Sequence, residues 1–80
     1  MSTKKKLLLK ARNTPGNFKF SELETLLSQH GFMRAKTNAG SHLKWIHPEK
    51  YISYGAPYKN PMKAIYIKAL LRMLNEHFYS

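Results

Sequence analysis

The 80-residue chain has no cysteine and no aspartate, and its four acidic residues are all glutamates. Without cysteine, disulfides, thiol catalysis and cysteine-based zinc sites are excluded. Two-metal nucleases hold their cations with several carboxylates, and four glutamates argue against such a site. A zinc site of histidines alone would need His42 and His47 to be joined by the distant His30 or His77. We therefore expect neither a metal ion nor another cofactor.

Long apolar runs are also missing. No stretch approaches the roughly 20 residues that a helix needs to cross a bilayer. The run Leu7-Leu8-Leu9 follows three lysines, as in the start of a signal peptide, but Lys10 and Arg12 interrupt it at once. We expect a cytoplasmic protein without membrane contact.

Positive charge is abundant, since 14 Lys and Arg oppose four Glu, for a net charge of +10 and a pI of about 10.1. A field of that strength on a small body favours an anionic partner such as nucleic acid, an acidic protein or an anionic membrane surface. Charge and size together favour nucleic acid.

The first 17 residues form a basic segment. Residues 3–12 predict a short helix with Leu7, Leu8 and Ala11 on one face, and residues 14–17 contain the turn-forming Pro-Gly pair that ends it. The segment can serve as a nucleic-acid-contacting tail or dock on the rest of the domain, and its leucines favour docking.

Residues 22–30 predict an amphipathic helix. Ser21 and Glu24 have the spacing of a capping box, and Gly31 is a suitable C-terminal stop. The apolar stripe of this helix comprises Leu23, Leu26 and Leu27 and ends near His30.

The apolar period then changes to about two, which is typical of strands. We predict strands at 32–36, 41–47 and 51–54, and a last helix opening at Asn60-Pro61. Its stripe consists of Ile67, Leu70, Leu71, Leu74 and Phe78. The prediction is one α+β domain, a three-stranded antiparallel sheet packed on helices, with an αβββα core at 18–78 and an extra N-terminal helix within residues 1–17.

One histidine lies in a suggestive position. His42 begins the second predicted strand and shares a face with Lys44, while Arg34 and Lys36 lie on the neighbouring strand. We expect this cationic face to bind phosphate. Histidine titrates near neutral pH and can deprotonate the 2′-hydroxyl of RNA, a nucleophile that DNA lacks. Spacing alone nevertheless favours an ordinary polar strand residue for His42.

A resemblance adds to this. The pattern F-S-E-L-x-x-L-L-x-x-x-G-F from Phe20, followed by Gly40-Ser41-His42 and His47-Pro48, a strand and an amphipathic helix, resembles the HicA family of bacterial toxins from toxin–antitoxin pairs. It extends from Phe20 to about Leu74. It implies a fold like the double-stranded-RNA-binding domain and a metal-independent endoribonuclease (an mRNA interferase). It also implies mRNA as substrate and a cognate HicB-type antitoxin as partner, with no DNA binding by this chain alone.

The resemblance also assigns roles to residues. The family's catalytic histidine lies in the G-S-H segment and corresponds here to His42. From its own chemistry, and not from the resemblance, Ser41 can assist by hydrogen bonding, although no local base–nucleophile arrangement argues for a serine hydrolase. Family members often carry another histidine after a proline beyond the third strand, where this chain has Tyr58, a residue able to hydrogen-bond or stack on RNA. Expected phosphate contacts are Lys36, Lys44 and Arg34.

Two other readings stay open from the residues alone: a non-catalytic double-stranded-RNA-binding module, and a protein whose charge serves only to bind an acidic partner. His47, just before a proline, is expected to shape a turn rather than to act in catalysis. Trp45 is expected in the core, and His30 and His77 are expected to be solvated or to cap helices. One exposed tyrosine among Tyr51, Tyr54 and Tyr58 can stack on a base.

Overall fold

The computed structural model describes residues 3–36 and 42–79. Within those ranges, in chain order, the elements are α1 (Thr3–Asn13), a 3-10 turn (Pro15–Asn17), α2 (Phe20–Gln29), β1 (Met33–Ala35), β2 (His42–His47), β3 (Ile52–Pro57) and α3 (Ala64–Phe78).

The three strands form one antiparallel sheet in the order β1-β2-β3, with β2 in the centre. Trp45, Tyr54 and Ala56 point from one face into a hydrophobic cluster that also contains the buried leucines of α2 and α3. All the helices that supply this cluster therefore lie on one side of the sheet. The predicted α+β class with a three-stranded antiparallel sheet is confirmed.

Helix α2 begins earlier than the predicted capping box implied. Lys19 occupies the N-cap position, and its backbone N–H donates to Oε1 of Glu22 at 2.9 Å. The prediction that Ser21 caps the helix is wrong, because Phe20 is already helical and buried in the core. The predicted end is confirmed, since the helix stops before Gly31, which has a φ of 90°.

The strand boundaries also differ from the prediction. Phe32 precedes β1, because its N–H still donates to Leu27 O at the end of α2 and its side chain lies in the core. Strand β3 continues through Gly55 to Pro57, which can end a strand at a sheet edge where its missing N–H is not needed.

Helix α3 begins at Ala64, three residues after the predicted opening at Asn60-Pro61. Met62 is held outside the helix by its buried side chain and by its N–H, which donates to Phe18 O at 2.7 Å. The predicted apolar stripe is confirmed: Ile67, Leu70 and Leu74 are buried, and Leu71 and Phe78 pack against the cluster.

Helix α1 docks on the domain, as its leucines predicted. Leu7 and Ala11 are buried in the same cluster as α2 and α3, and Leu8 packs beside them. Nζ of Lys10 lies 2.8 Å from each carboxylate oxygen of Glu22 and thereby ties α1 to the first turn of α2. In the part of the chain that the structure describes, no helix is long and apolar enough to cross a membrane.

Candidate functional site

The side of the sheet opposite the helices is its open face. Residues paired directly across antiparallel strands point to the same side, and the buried pair Trp45–Tyr54 defines the helix side. The alternate residues therefore form the open face, which comprises Met33 and Ala35 from β1, His42, Lys44 and Ile46 from β2, and Ser53, Gly55 and Pro57 from β3.

His42 is the first residue of the central strand and is exposed on the open face. Its partner across the ladder is Pro57, the last residue of β3, so His42 lies at one end of the sheet. Gly40 and Ser41 lie outside the described residues, and the expected hydrogen-bonding role of Ser41 stays a prediction.

Lys44 follows His42 on the same face, about 7 Å further along the strand. Its cross-strand partners are Ala35 and Gly55, whose small size leaves the lysine without bulky neighbours on either side. A β-carbon on Gly55 would make only ordinary contact, 3.6 Å from Leu43 O. The open face thus presents one imidazole and one ammonium side by side.

The prediction that Arg34 shares this face with Lys44 is wrong. Arg34 pairs with the buried Trp45, and its Nη1 donates to Oε2 of Glu24 in α2 at 3.2 Å. Its guanidinium is therefore directed to the helix side, held by the carboxylate that the sequence had suggested for a cap. Lys36 is exposed but lies just beyond β1, where the ladder no longer specifies a face.

Tyr58 follows Pro57, the cross-strand partner of His42, but its ring packs toward the helices. The centroid of this ring is 4.5 Å from that of Phe20 at the start of α2. With 54% of its surface exposed it remains accessible, but from the helix side of the sheet.

His47 has the turn-shaping role that was predicted. It is 6% exposed, and its Nδ1 accepts hydrogen bonds from the backbone N–H groups of Glu49 at 3.2 Å and Lys50 at 3.1 Å. Its ring packs edge-on against Phe32, with centroids 5.3 Å apart. Because Nδ1 accepts both bonds, the neutral ring carries its proton on Nε2.

His30 is the C-cap of α2, one of the two roles predicted for it, and its side chain is buried rather than solvated. It is 5% exposed, its Nδ1–H donates to Leu26 O at 2.9 Å, and its Nε2 accepts from the Tyr79 hydroxyl at 2.6 Å. Burial lowers the pKa of His30, the bond to Leu26 opposes that shift, and the charge of Lys4 reinforces it. His77 is exposed near the end of α3.

Tyr51, which the sequence did little to single out, borders the end of the open face opposite His42. Tyr51, predicted as the start of β3, instead ends the turn before it, with 92% of its surface exposed and a φ of 54°. It lies on the rim of a shallow concavity of about 500 Å³. The concavity is lined by Met33, Arg34, Lys44, Ile46, His47, Pro48, Tyr51, Ile52 and Ser53.

Among residues 3–36 and 42–79, no three His, Asp or Glu side chains lie close enough to hold a metal ion together. Comparisons of the chain with protein-family models, with curated proteins and with solved structures found no match. The chemistry of the open face, with its exposed histidine and lysine, is therefore the main guide to function.

Proposed function

We propose that the protein is a toxin-type, metal-independent endoribonuclease that cleaves mRNA, with His42 as its catalytic residue. The observation that carries the proposal is the exposure of His42 and Lys44 on the same open sheet face of a chain with a net charge of +10. The motif resemblance to HicA-type toxins supports it, and so does the α+β architecture with a three-stranded antiparallel sheet. We propose in addition that this architecture is of the double-stranded-RNA-binding-domain type.

The chemistry follows from the substrate. His42 takes the proton of a ribose 2′-hydroxyl, the 2′-oxygen attacks the adjacent phosphorus, and the bond from phosphorus to the 5′-oxygen breaks. The products are a 2′,3′-cyclic phosphate and a 5′-hydroxyl, whose oxygen takes up a proton. Lys44 stabilises the added negative charge on the phosphoryl oxygens. DNA has no 2′-hydroxyl and is not cleaved.

The remaining contacts follow the same proposal. Lys36 and Ser41, at the ends of the segment before β2, contact phosphates next to the scissile bond. Arg34 and Tyr58 contact RNA that extends around the sheet edge to the helix side. The protein acts in the cytoplasm, and a cognate HicB-type antitoxin inhibits it by covering the open face.

A decisive test compares His42→Gln with His77→Gln, since His77 is an exposed histidine on α3. Cleavage of a radiolabelled mRNA is followed with EDTA present. We expect His42→Gln to lower the rate by at least about a hundredfold, the scale of a lost general base, and His77→Gln to cut as wild type. Cleavage by His42→Gln at the wild-type rate would refute the assignment.

The alternative is a non-catalytic double-stranded-RNA-binding module, favoured by the exposed Lys63 at the N-cap of α3 and by the exposed Lys68 and Arg72 within it. Such a module would bind duplex RNA by its shape and phosphates, with affinity falling steeply in salt, and release intact strands. Mass spectrometry of the RNA separates the two functions. A 2′,3′-cyclic phosphate end supports the nuclease, and uncut RNA supports the module.

A further inference from the structure

The concavity at the far end of the open face has a mixed lining. Met33 and Ile46, directly paired across β1 and β2, provide an exposed apolar floor. Lys44 borders it on the side toward His42, and Tyr51 borders it on the opposite side. This lining is suited to a flat, weakly polar group that carries an anion. The flat group can lie on the apolar floor and stack on the ring of Tyr51, while the anion contacts Lys44.

Tyr51 is held in an unusual position. Its positive φ is disfavoured for a bulky side chain, so the surrounding structure must impose it. His47 does so, because its carbonyl accepts the N–H of Tyr51 at 3.0 Å while its Nδ1 accepts the N–H groups of Glu49 and Lys50. The buried His47 thus anchors a turn that presents an exposed aromatic ring at the rim.

The other two candidate tyrosines are placed differently. Tyr54 is buried, and its hydroxyl donates to Tyr66 O at 2.9 Å. Tyr58 is 54% exposed, but its ring packs on Phe20. Tyr51, which is 92% exposed, is the tyrosine of the three that lines the concavity.

We propose that the concavity binds an unpaired nucleobase, which stacks on Tyr51 while Lys44 contacts a phosphate between this base and the ribose at His42. The inference rests on the proposed ribonuclease function and specifies single-stranded RNA as the substrate. In a duplex the faces of the bases are stacked on each other and cannot reach the ring. A second copy of this chain is a poor occupant, because two bodies of charge +10 repel each other.

Binding is tested apart from cleavage with a fluorescent, single-stranded 2′-O-methyl oligonucleotide of mixed sequence, which has no 2′-hydroxyl and stays intact. Tyr51→Asn removes the ring while tolerating a positive φ, and Tyr51→Phe keeps the ring. The matched control is Ile65→Ala, which truncates an exposed apolar residue on α3. Circular dichroism verifies that each variant is folded.

By fluorescence anisotropy we expect Tyr51→Asn to weaken binding about tenfold, and Tyr51→Phe and Ile65→Ala to change it less than about twofold. The matched 2′-O-methyl duplex should bind wild type and Tyr51→Asn equally. The proposal is overturned if Tyr51→Asn binds the single strand as tightly as wild type does. It is also overturned if the substitution weakens binding of the duplex as much as binding of the single strand. A chain that cuts no RNA but shows the Tyr51 dependence would refute the nuclease and leave this base-binding site standing.

Discussion

A β-carbon added to Gly31 would lie only 2.9 Å from Nε2 of His47. Gly31 ends α2 with a φ of 90°, and His47 ends the central strand β2. The end of the helix and the end of the strand therefore approach each other so closely that the helix-ending residue has room for a hydrogen but not for a β-carbon. Because His47 also accepts the hydrogen bonds of the turn before β3, the same ring links three parts of the fold.

Gly31→Ala should lower the free energy of unfolding by about 2–3 kcal/mol. The left-handed backbone costs a non-glycine residue about 1–2 kcal/mol, and displacement of the His47 ring adds to that. In a domain this small the melting temperature should fall by about 10 °C or more. The measurement is thermal and urea unfolding followed by circular dichroism.

Gly16→Ala is the matched control, because no heavy atom lies within 4 Å of the added β-carbon. It should be neutral or slightly stabilising, since alanine reduces the freedom of the unfolded chain. If Gly31→Ala and Gly16→Ala have equal stability, the close approach of His47 is not a constraint on the fold.

Short-range sequence patterns predicted the features that depend on neighbouring residues, such as helix ends and strand faces. Gly31 was recognisable as a helix stop, and the alternation of Leu43, Lys44 and Trp45 predicted the two faces of β2. Long-range partners could not be derived in this way. The Gly31–His47 contact joins residues that are 16 positions apart, and the Arg34–Glu24 ion pair depends on how α2 crosses β1.

The same limit applies to the candidate site. Motif and charge led to His42 and Lys44, and the register of the strands places them together on the open face. Tyr51 had no comparable signal, because its exposure depends on a turn held by hydrogen bonds to His47, and turn conformation is poorly encoded in residue alternation.

The link between α1 and α2 can be measured through Glu22. Burial raises the pKa of this carboxyl, but hydrogen bonds from Lys10 and the Lys19 N–H, with the charges of both lysines, outweigh it and leave the pKa below its usual 4.5. A lowered folded-state pKa gives stability that is complete above the unfolded value and is lost as pH falls through the folded value. Glu22→Gln should cost about 1 kcal/mol at pH 7, and progressively less as pH falls below 4.5.

Urea unfolding of Glu22→Gln, Lys10→Met and the double variant forms a cycle that isolates the pair. The control Glu49→Gln makes the same charge change on an exposed turn and should have little effect. A coupling near zero between Lys10 and Glu22 would mean that α1 is held by its apolar contacts, such as those of Leu7 and Ala11, and not by this ion pair.

The buried His30 leads us to expect a second pH dependence of the free energy of unfolding. Its sign is the same as for Glu22, but it falls in a higher pH range. Burial keeps its folded-state pKa below 6.5, so the unfolded chain binds the extra proton first as the solution is acidified. Stability is complete above pH 6.5 and falls below it, by at most about 1.4 kcal/mol per pH unit for one group.

His30→Gln should be less stable than wild type at pH 7.5, because the bonds to Leu26 and Tyr79 are altered, but should lose this pH slope. His77→Gln, at an exposed position, should keep the slope. Urea unfolding at pH 7.5 and 5.5 makes the comparison, and an unchanged slope in His30→Gln would assign the acid sensitivity to another group.

Tyr51→Gly should raise stability while weakening the proposed base-binding site. The left-handed conformation costs tyrosine about 1–2 kcal/mol, and the greater freedom of glycine in the unfolded chain offsets about 0.5–1 kcal/mol of the relief. A net gain of about 0.5–1 kcal/mol in urea unfolding is therefore expected. Ser53→Gly, which places glycine within β3 at an exposed position, should instead destabilise by a similar amount.

The pair of measurements separates a functional ring from a structural one. A more stable Tyr51→Gly that binds single-stranded RNA poorly means that the fold accepts strain in order to present the ring. A less stable Tyr51→Gly would mean that the tyrosine ring contributes to folding despite being 92% exposed, and its conformation would then need no functional reason.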